Sequence, residues 1–312
     1  QPNARGFDLQ YGHFFGSIDY FTHSRNNQLD WYRNGIPLNE KGYSTDLITK
    51  EACKIIETTD PTKPLFLYIP FNGIHAPYQV PEAYTKLYSQ LKGNRQKLAG
   101  MLSAVDEAIG KIVNTLDKAG LRENTLIIFS SDNGAPPPGD NTPLRDFKAT
   151  VYEGGIKAAA FVNWPGHVRS GTTITEPMHI IDWYPTLINL AGGKINQTTT
   201  VDGKDVWPMI TQNKKSPHDA ILSVSTKGPI ISAIRMDHWK LILLAADSSQ
   251  LKTKAFNKYE SVALFNLLDD PSETKNLALK YPERVILMQK RLNEMLKDAV
   301  PSRAKDAAEE LQ

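Results

Sequence analysis

Asp132 and Asn133 stand just behind an apolar run, in "TLIIFSSDNGAPPPGDNTPLRDFKATVYEGG" (residues 125–155). A carboxylate and an amide carbonyl are hard oxygen donors of the kind that hold Ca²⁺ or Mg²⁺. Gly134 lets the backbone turn sharply after them. Asp-Asn-Gly is also strong turn chemistry in its own right, and taken alone the tripeptide reads as a turn. His75, in "FNGIHAPY", is carried on a stiff, extended segment before Ala-Pro. Its imidazole can donate to an anion or protonate a leaving oxygen, and the alternative is an ordinary loop histidine. Lys148, in "LRDFKATVYEGG", can serve as a point charge facing a tetrahedral oxyanion, or be one more surface lysine. His13, His23, His167, His179, His218 and His238 show no zinc-ligand spacing. Arg145, beside Asp146, reads as an exposed residue. There is no Gly-x-Ser-x-Gly elbow and no phosphate-cradling glycine loop.

The elements that must position these groups can be read from periodicity. "STDLITKEACKIIE" (44–57) has helical spacing, with Ser44, Thr45 and Asp46 available to cap its start. "PLFLYIPF" (64–71) is a continuous apolar run, as expected of a strand covered on both faces. Residues 97–120 place Leu98, Met101, Leu102, Val105, Ile109, Ile112 and Leu116 on one stripe, with Gly120 as C-terminal cap. "TLIIFS" (125–130) is the next strand. Strand, helix, strand predicts a right-handed crossover and a parallel pair. His75 and Asp132–Asn133 then lie at one carboxyl edge, where open α/β sheets bind ligands. Residues 157–166 are a further strand, and 181–193 a short helix ended by glycines. After about residue 212 the texture changes. A β-hairpin is expected over 229–244 around Met236-Asp237-His238, and an amphipathic helix over 281–299. The chain therefore divides into 1–211 and a smaller α+β domain over 212–312.

Of the 312 residues, 40% are hydrophobic and 22% charged, with Lys+Arg 36 against Asp+Glu 34. That balance gives no ground for a nucleic-acid or anionic-membrane partner, and no run is long and apolar enough to span a bilayer. The single cysteine, Cys53, has no partner for a disulfide and reads as a buried thiol on a helix. Asn196-Gln197-Thr198 is a glycosylation sequon in a secreted chain. The opening "QPNARGFDLQYGHFFGSIDYF" has no basic start and no apolar core, so it is not a signal peptide. It reads as a glycine- and aromatic-rich loop.

"PLFLYIPFNGIHAPYQVPEAY", "GMLSAVDEAIGKIVNTLDKAGLRENTLIIFSSDNG" and "PLRDFKATVYEGGIKAAAFVNWPG" resemble, in this order, the central part of the sulfatase family, most of all its arylsulfatase B-like branch. "RGFDLQYGHFFGSIDYF", "HIIDWYPTLINLAGG" and "WKLI … LFNLLDDPSETKNLA" extend the resemblance over nearly the whole chain. It implies an alkaline-phosphatase-like α/β fold: a mixed or parallel sheet flanked by helices, with a smaller C-terminal α+β domain that holds a short antiparallel sheet. It implies Ca²⁺-dependent hydrolysis of sulfate esters of aryl or sugar substrates. By the same resemblance Asp132 and Asn133 bind one Ca²⁺, His75 and Lys148 bind the sulfate oxygens, and Asp132 is a candidate to protonate the leaving alcohol. Cation, ammonium and imidazole together stabilise the charge that ester cleavage builds on oxygen.

The family's nucleophile is a formylglycine in a Cys-x-Pro-Ser-Arg context. Cys53 is followed by Lys-Ile-Ile and does not match it. The family's paired-aspartate motif and Lys-x-His segment are likewise absent. The resemblance places all three upstream, so the expectation is an N-terminally incomplete sulfatase whose remaining Ca²⁺ ligands lie outside this chain. Alone it should be inactive and poorly soluble. The competing readings are a phosphodiesterase or phosphonate hydrolase of the same superfamily, and a non-catalytic fragment or pseudoenzyme binding sulfated ligands. The family also implies a lysosomal, secreted or periplasmic location. Specificity is expected from loops including Tyr11, His13, Tyr20 and Trp31.

Overall fold

A computed structural model describes residues 1–225, 231–244 and 262–297, the side chains of Ile231 and Leu244 excepted. The chain forms two compact units, Gln1–Ile127 with Asn163–Gly166, and Ile128–Val162 with His167–Gln312.

The first unit opens with five two-residue strands: β1 (Tyr11–Gly12), β2 (Ser24–Arg25), β3 (Gln28–Leu29), β4 (Tyr32–Arg33) and β5 (Ile36–Pro37). β2 turns into β3 through Asn26-Asn27, and β4 into β5 through Asn34-Gly35, all four at positive φ as two-residue hairpin turns require. Helix α1 (Ser44–Thr58) falls on its predicted span. Its start differs from expectation. Tyr43 is the N-cap and makes no side-chain cap bond. Ser44 Oγ donates instead to Asn72 Oδ1 at 2.9 Å, a tertiary contact that outcompetes the local one. After the short α2 (Glu82–Lys86) comes α3 (Gly93–Lys118), against which α1 and α2 both pack. Leu98, Met101, Val105 and Leu116 are buried as the stripe predicts, whereas Leu102 is 54% exposed. Gly120, at φ +69°, closes α3 as expected, with Leu121 N–H donating to Leu116 O and Gly120 N–H to Asp117 O. Trp31 lies fully buried beside Ile18 and Ile48.

The run 64–71 is not a strand. It pairs with none among the described residues, so the expected parallel pair with 125–130 does not form. Leu65, Phe66 and Tyr68 are exposed rather than covered. An apolar run becomes a doubly covered strand only where neighbours supply ladder bonds and both faces have a layer on them. Phe66, 67% exposed, has the ring of Phe7 5.9 Å away.

β6 (Ile127–Ser130), whose first residue closes the first unit, leads in the second into a long loop and the single-turn α4 (Glu153–Ile156). The chain then returns as β7 (Ala160–Asn163), which lies beside β6 with Phe161 stacked on Phe129. Helix α5 (Trp183–Leu190) is capped through Gly192 and Gly193, matching the predicted glycine stop. After α6 (Trp207–Gln212) come β8 (Ile221–Ser225), β9 (Ile231–Met236), β10 (Trp239–Leu244) and β11 (Val262–Asn266). These form an antiparallel sheet in the order β11-β10-β9-β8. The expected hairpin is present, with Met236 opposite Trp239 across Asp237-His238; residues 229–230 lie outside the described residues. Helix α7 (Pro282–Lys297) fits the predicted helix, whose last residues 298–299 also lie outside them.

Side chains alternate across this sheet. Ile234, Leu241 and Leu264 face Met288 and Leu292 of α7. Ala233, Ile242 and Phe265 take the other face, together with Val151 and Tyr152 just before α4. Lys240 shares the parity of Ile242 and so points to that second face.

Candidate functional site

β6 ends by delivering Asp132, exposed, and Asn133, half-buried, with Asn133 Nδ2 donating to Asp132 Oδ2. Gly134 is here for contact rather than for a left-handed turn. A Cβ on it would stand 1.8 Å from Gly154 O, and its N–H donates to Gly155 O at 2.9 Å. Gly154 is equally hemmed in, its virtual Cβ 2.3 Å from Arg145 O, and its N–H donates to that oxygen at 2.8 Å. Three backbone segments thus meet at van der Waals distance: 133–135, 145–150 and 153–155.

Lys148 sits on the middle segment. It is half-buried, and its N–H reaches Ala135 O at 3.5 Å. Asn141 ties the proline-rich loop to the same place, accepting from Ala135 N–H and donating to Ala135 O and Asp146 O. Asp132, Asn133 and Lys148 are therefore carried on one interlocked scaffold. Arg145 is not the exposed residue its neighbour suggested. Its guanidinium lies 4.1 Å from the Tyr152 ring centroid, and Nη1 donates to Glu273 O at 2.8 Å. A stacked, hydrogen-bonded guanidinium sheds water at little cost.

Beneath this scaffold is a charge cluster that motif reading missed. Lys240 Nζ lies 2.9 Å from Glu153 Oε1 and 2.8 Å from Glu273 Oε1, and all three residues are buried. Glu273 Oε2 also accepts the Glu153 N–H at 2.6 Å. Burial pushes the Glu273 carboxyl up, and the Lys240 ammonium pulls the other way. The available signal was a lysine inside the otherwise apolar strand "WKLILL".

His75 belongs to the first unit. Its side chain is exposed, and Nδ1 faces Ala76 O at 2.7 Å, so Nδ1 carries the proton and Nε2 is the free ring nitrogen. The loop beneath it is clamped by the opening segment. Tyr20 Oη lies 2.7 Å from Asn72 O and 2.8 Å from His75 O, and Ser17 Oγ donates to Ala76 O at 3.0 Å. Gln79 donates to Asp19 and accepts the Tyr20 N–H. Burial would raise the Asp19 carboxyl, but hydrogen bonds from Gln79, Thr22 and Phe21 bring it down to about 2.

Four loop aromatics were expected to face substrate. Tyr20 and Trp31 are buried core residues, Trp31 stacking on His23 at 4.4 Å, so neither is available for that role. Tyr11, whose hydroxyl donates to Glu40, and His13 are half-buried. Cys53 is half-buried rather than buried, and Asn196 is exposed in a loop.

Among the described residues no group of three or more His, Cys, Asp and Glu is disposed to hold a metal ion. Asp132 and Asn133 together present three of the roughly six to eight oxygens that Ca²⁺ takes, so they supply only part of such a set.

Residues 2–193 match the family described as "Sulfatase", and 146–300 the family "N-sulphoglucosamine sulphohydrolase, C-terminal". The chain is 37% identical to arylsulfatase J of Mus musculus over 97% of its own length and 58% of that protein's. It is 30% identical to N-acetylgalactosamine-6-sulfatase of Mus musculus, over 68% of this chain and 44% of that one. The crystal structure of Ps i-CgsB in complex with k-i-k-neocarrahexaose superposes with a TM-score of 0.84 at 30% identity, covering 95% of this chain and 67% of that one. The chain thus spans little more than half the length of the first of these relatives. Fold and sequence agree with the alkaline-phosphatase-like expectation, and the chain belongs to the sulfatase family.

Proposed function

We propose that this chain carries the metal- and sulfate-binding part of a Ca²⁺-dependent sulfuric ester hydrolase acting on sulfate esters of aryl or sugar substrates. Asp132 and Asn133 are the proposed metal ligands, and His75 and Lys148 the proposed donors to sulfate oxygens. The observation that supports this best is the close approach of Gly134 to Gly154 and Gly155, since Asp132–Asn133 and Lys148 are carried on the backbone segments that meet there. A divalent cation held there supplies charge neutralisation for the sulfate. The Lys148 ammonium binds the anion without a proton transfer at pH 7. His75, with Nε2 free, donates to a sulfate oxygen when protonated. Asp132 is the proposed proton donor to the leaving alcohol.

No residue of this chain is proposed as nucleophile, since Cys53 lacks the Cys-x-Pro-Ser-Arg context. The 312 residues alone are expected to bind sulfate without turning an ester over. A lysosomal, secreted or periplasmic location, with glycan at Asn196 in the secretory case, belongs to the same reading. Titration of the chain with Ca²⁺ and inorganic sulfate, followed by calorimetry, tests it. Binding lost in Asp132→Ala and Lys148→Ala supports the assignment. Tight zinc or manganese in place of calcium points to a phosphodiesterase or phosphonate hydrolase, and sulfate binding indifferent to both substitutions contradicts the site.

A further inference from the structure

Lys240 is 1% exposed on the sheet face it shares with Ile242. An apolar residue would suit that environment: replacing a buried ion cluster by well-packed apolar side chains is often neutral or stabilising. The cluster therefore needs a reason other than stability, and its connections supply one. Glu153 is the first residue of α4, a single turn with two glycines whose only apolar side chain, Ile156, is exposed. Apolar packing cannot fix such a turn. Besides the backbone bonds of Gly154 N–H to Arg145 O and of Gly134 N–H to Gly155 O, it is held by polar ties at its first residue: the Glu153 carboxylate to Lys240 and the Glu153 N–H to Glu273. Glu273, in turn, has Oε1 on Lys240, and its carbonyl accepts from Arg145. The next two residues of α4, Gly154 and Gly155, are the surface on which Gly134 rests.

We propose that Lys240 is a positioning residue of the sulfate and cation site: by holding Glu153 and Glu273 together it fixes α4 against the end of β6, and so sets where Asp132 and Asn133 stand. The inference rests on the functional reading above but has a readout of its own. Lys240→Met strands two buried carboxylates without a counter-charge, whereas Glu273→Gln leaves one ammonium on one carboxylate and keeps an acceptor for the Glu153 N–H.

The test is amide hydrogen exchange on the full 312-residue chain, read at Gly134 and Gly155, alongside titration with inorganic sulfate in the presence of calcium. Lys240→Met should speed exchange at both amides by at least about tenfold and weaken sulfate by about tenfold, while Glu273→Gln stays within about threefold of the parent. Should Lys240→Met fail to fold, Glu153→Ala, which cuts the tie between α4 and Lys240, carries the same test, with an expected effect of about tenfold at the same two amides. A Lys240→Met chain that melts earlier but keeps parental exchange at Gly134 and parental sulfate affinity overturns the proposal, leaving Lys240 merely structural. A Glu273→Gln chain as damaged as Lys240→Met overturns it too. If the parent binds no sulfate while Lys240→Met still frees the Gly134 amide, the positional inference stands and the functional reading falls.

Discussion

A methyl group on Gly134 would stand 1.8 Å from the carbonyl oxygen of Gly154, well inside any permitted contact. The obstruction is main chain, so no rotamer change relieves it. Gly134→Ala must push the end of β6 away from α4, and overpacking of this kind costs about 1–3 kcal/mol. Thermal or denaturant unfolding should show that loss, with calcium and sulfate binding weakened together. An unchanged melting temperature would show that the two segments are not in contact.

Tyr20 and His75 give a second prediction. The Tyr20 hydroxyl is buried and serves two carbonyls, those of Asn72 and His75. Tyr20→Phe keeps the ring but takes the hydroxyl away from His75 O, while Asn72 O retains the His75 N–H at 2.9 Å; the expected loss is about 1–3 kcal/mol. Denaturant unfolding measures it, and the His75 ring resonances should shift as its loop loosens. A variant as stable as the parent, with those resonances unmoved, would remove the clamp from the account.

His13 and His23 set a pH dependence. Burial lowers the pKa of both His13 and His23. His13 Nε2 and His23 Nδ1 are buried without hydrogen-bond partners among the described residues, so neither ring welcomes a second proton. The unfolded chain protonates its histidines near the ordinary value of about 6.5, while the folded chain resists. Stability is therefore full above that pH and falls as pH drops below it. Glu273, raised by burial, titrates in the opposite sense. Comparing melting temperatures between about pH 7 and 5 with the His23→Phe variant isolates the His23 part. The parent should lose stability more steeply, and equal slopes would contradict the assignment.

Asp132 and Asn133 predict a calcium affinity set by charge. Asp132→Asn keeps an oxygen and removes the only carboxylate of the pair, so affinity should fall about tenfold or more. Calorimetry with calcium measures it. Asn133→Ala should act in the same direction, and affinity unaltered by either change would place the ion elsewhere.

What the sequence reveals follows the range of the interaction. α1, α3, α7 and the hairpin at Asp237-His238 are written in local periodicity and turn chemistry, and each appears where that pattern puts it. The run 64–71 misleads because apolarity does not say whether a neighbouring strand exists. The approach of segments 133–135, 145–150 and 153–155 has no local signal, as the glycines that meet there read locally as turn and cap residues. The Lys240 cluster shows in the sequence only as a lysine inside an apolar strand, with nothing to name its partners. Its members are brought together across 87 residues in one case and 120 in another, and no local rule spans that distance.

The central claim is that Asp132 and Asn133 hold a cation while His75 and Lys148 hold the sulfate. A crystal of the chain grown with calcium and inorganic sulfate tests it most directly. The account predicts an anion within about 3 Å of Lys148 Nζ, with calcium on the oxygens of Asp132 and Asn133. An anion bound away from Lys148, or calcium on other carboxylates with Asp132 and Asn133 bare, would contradict it.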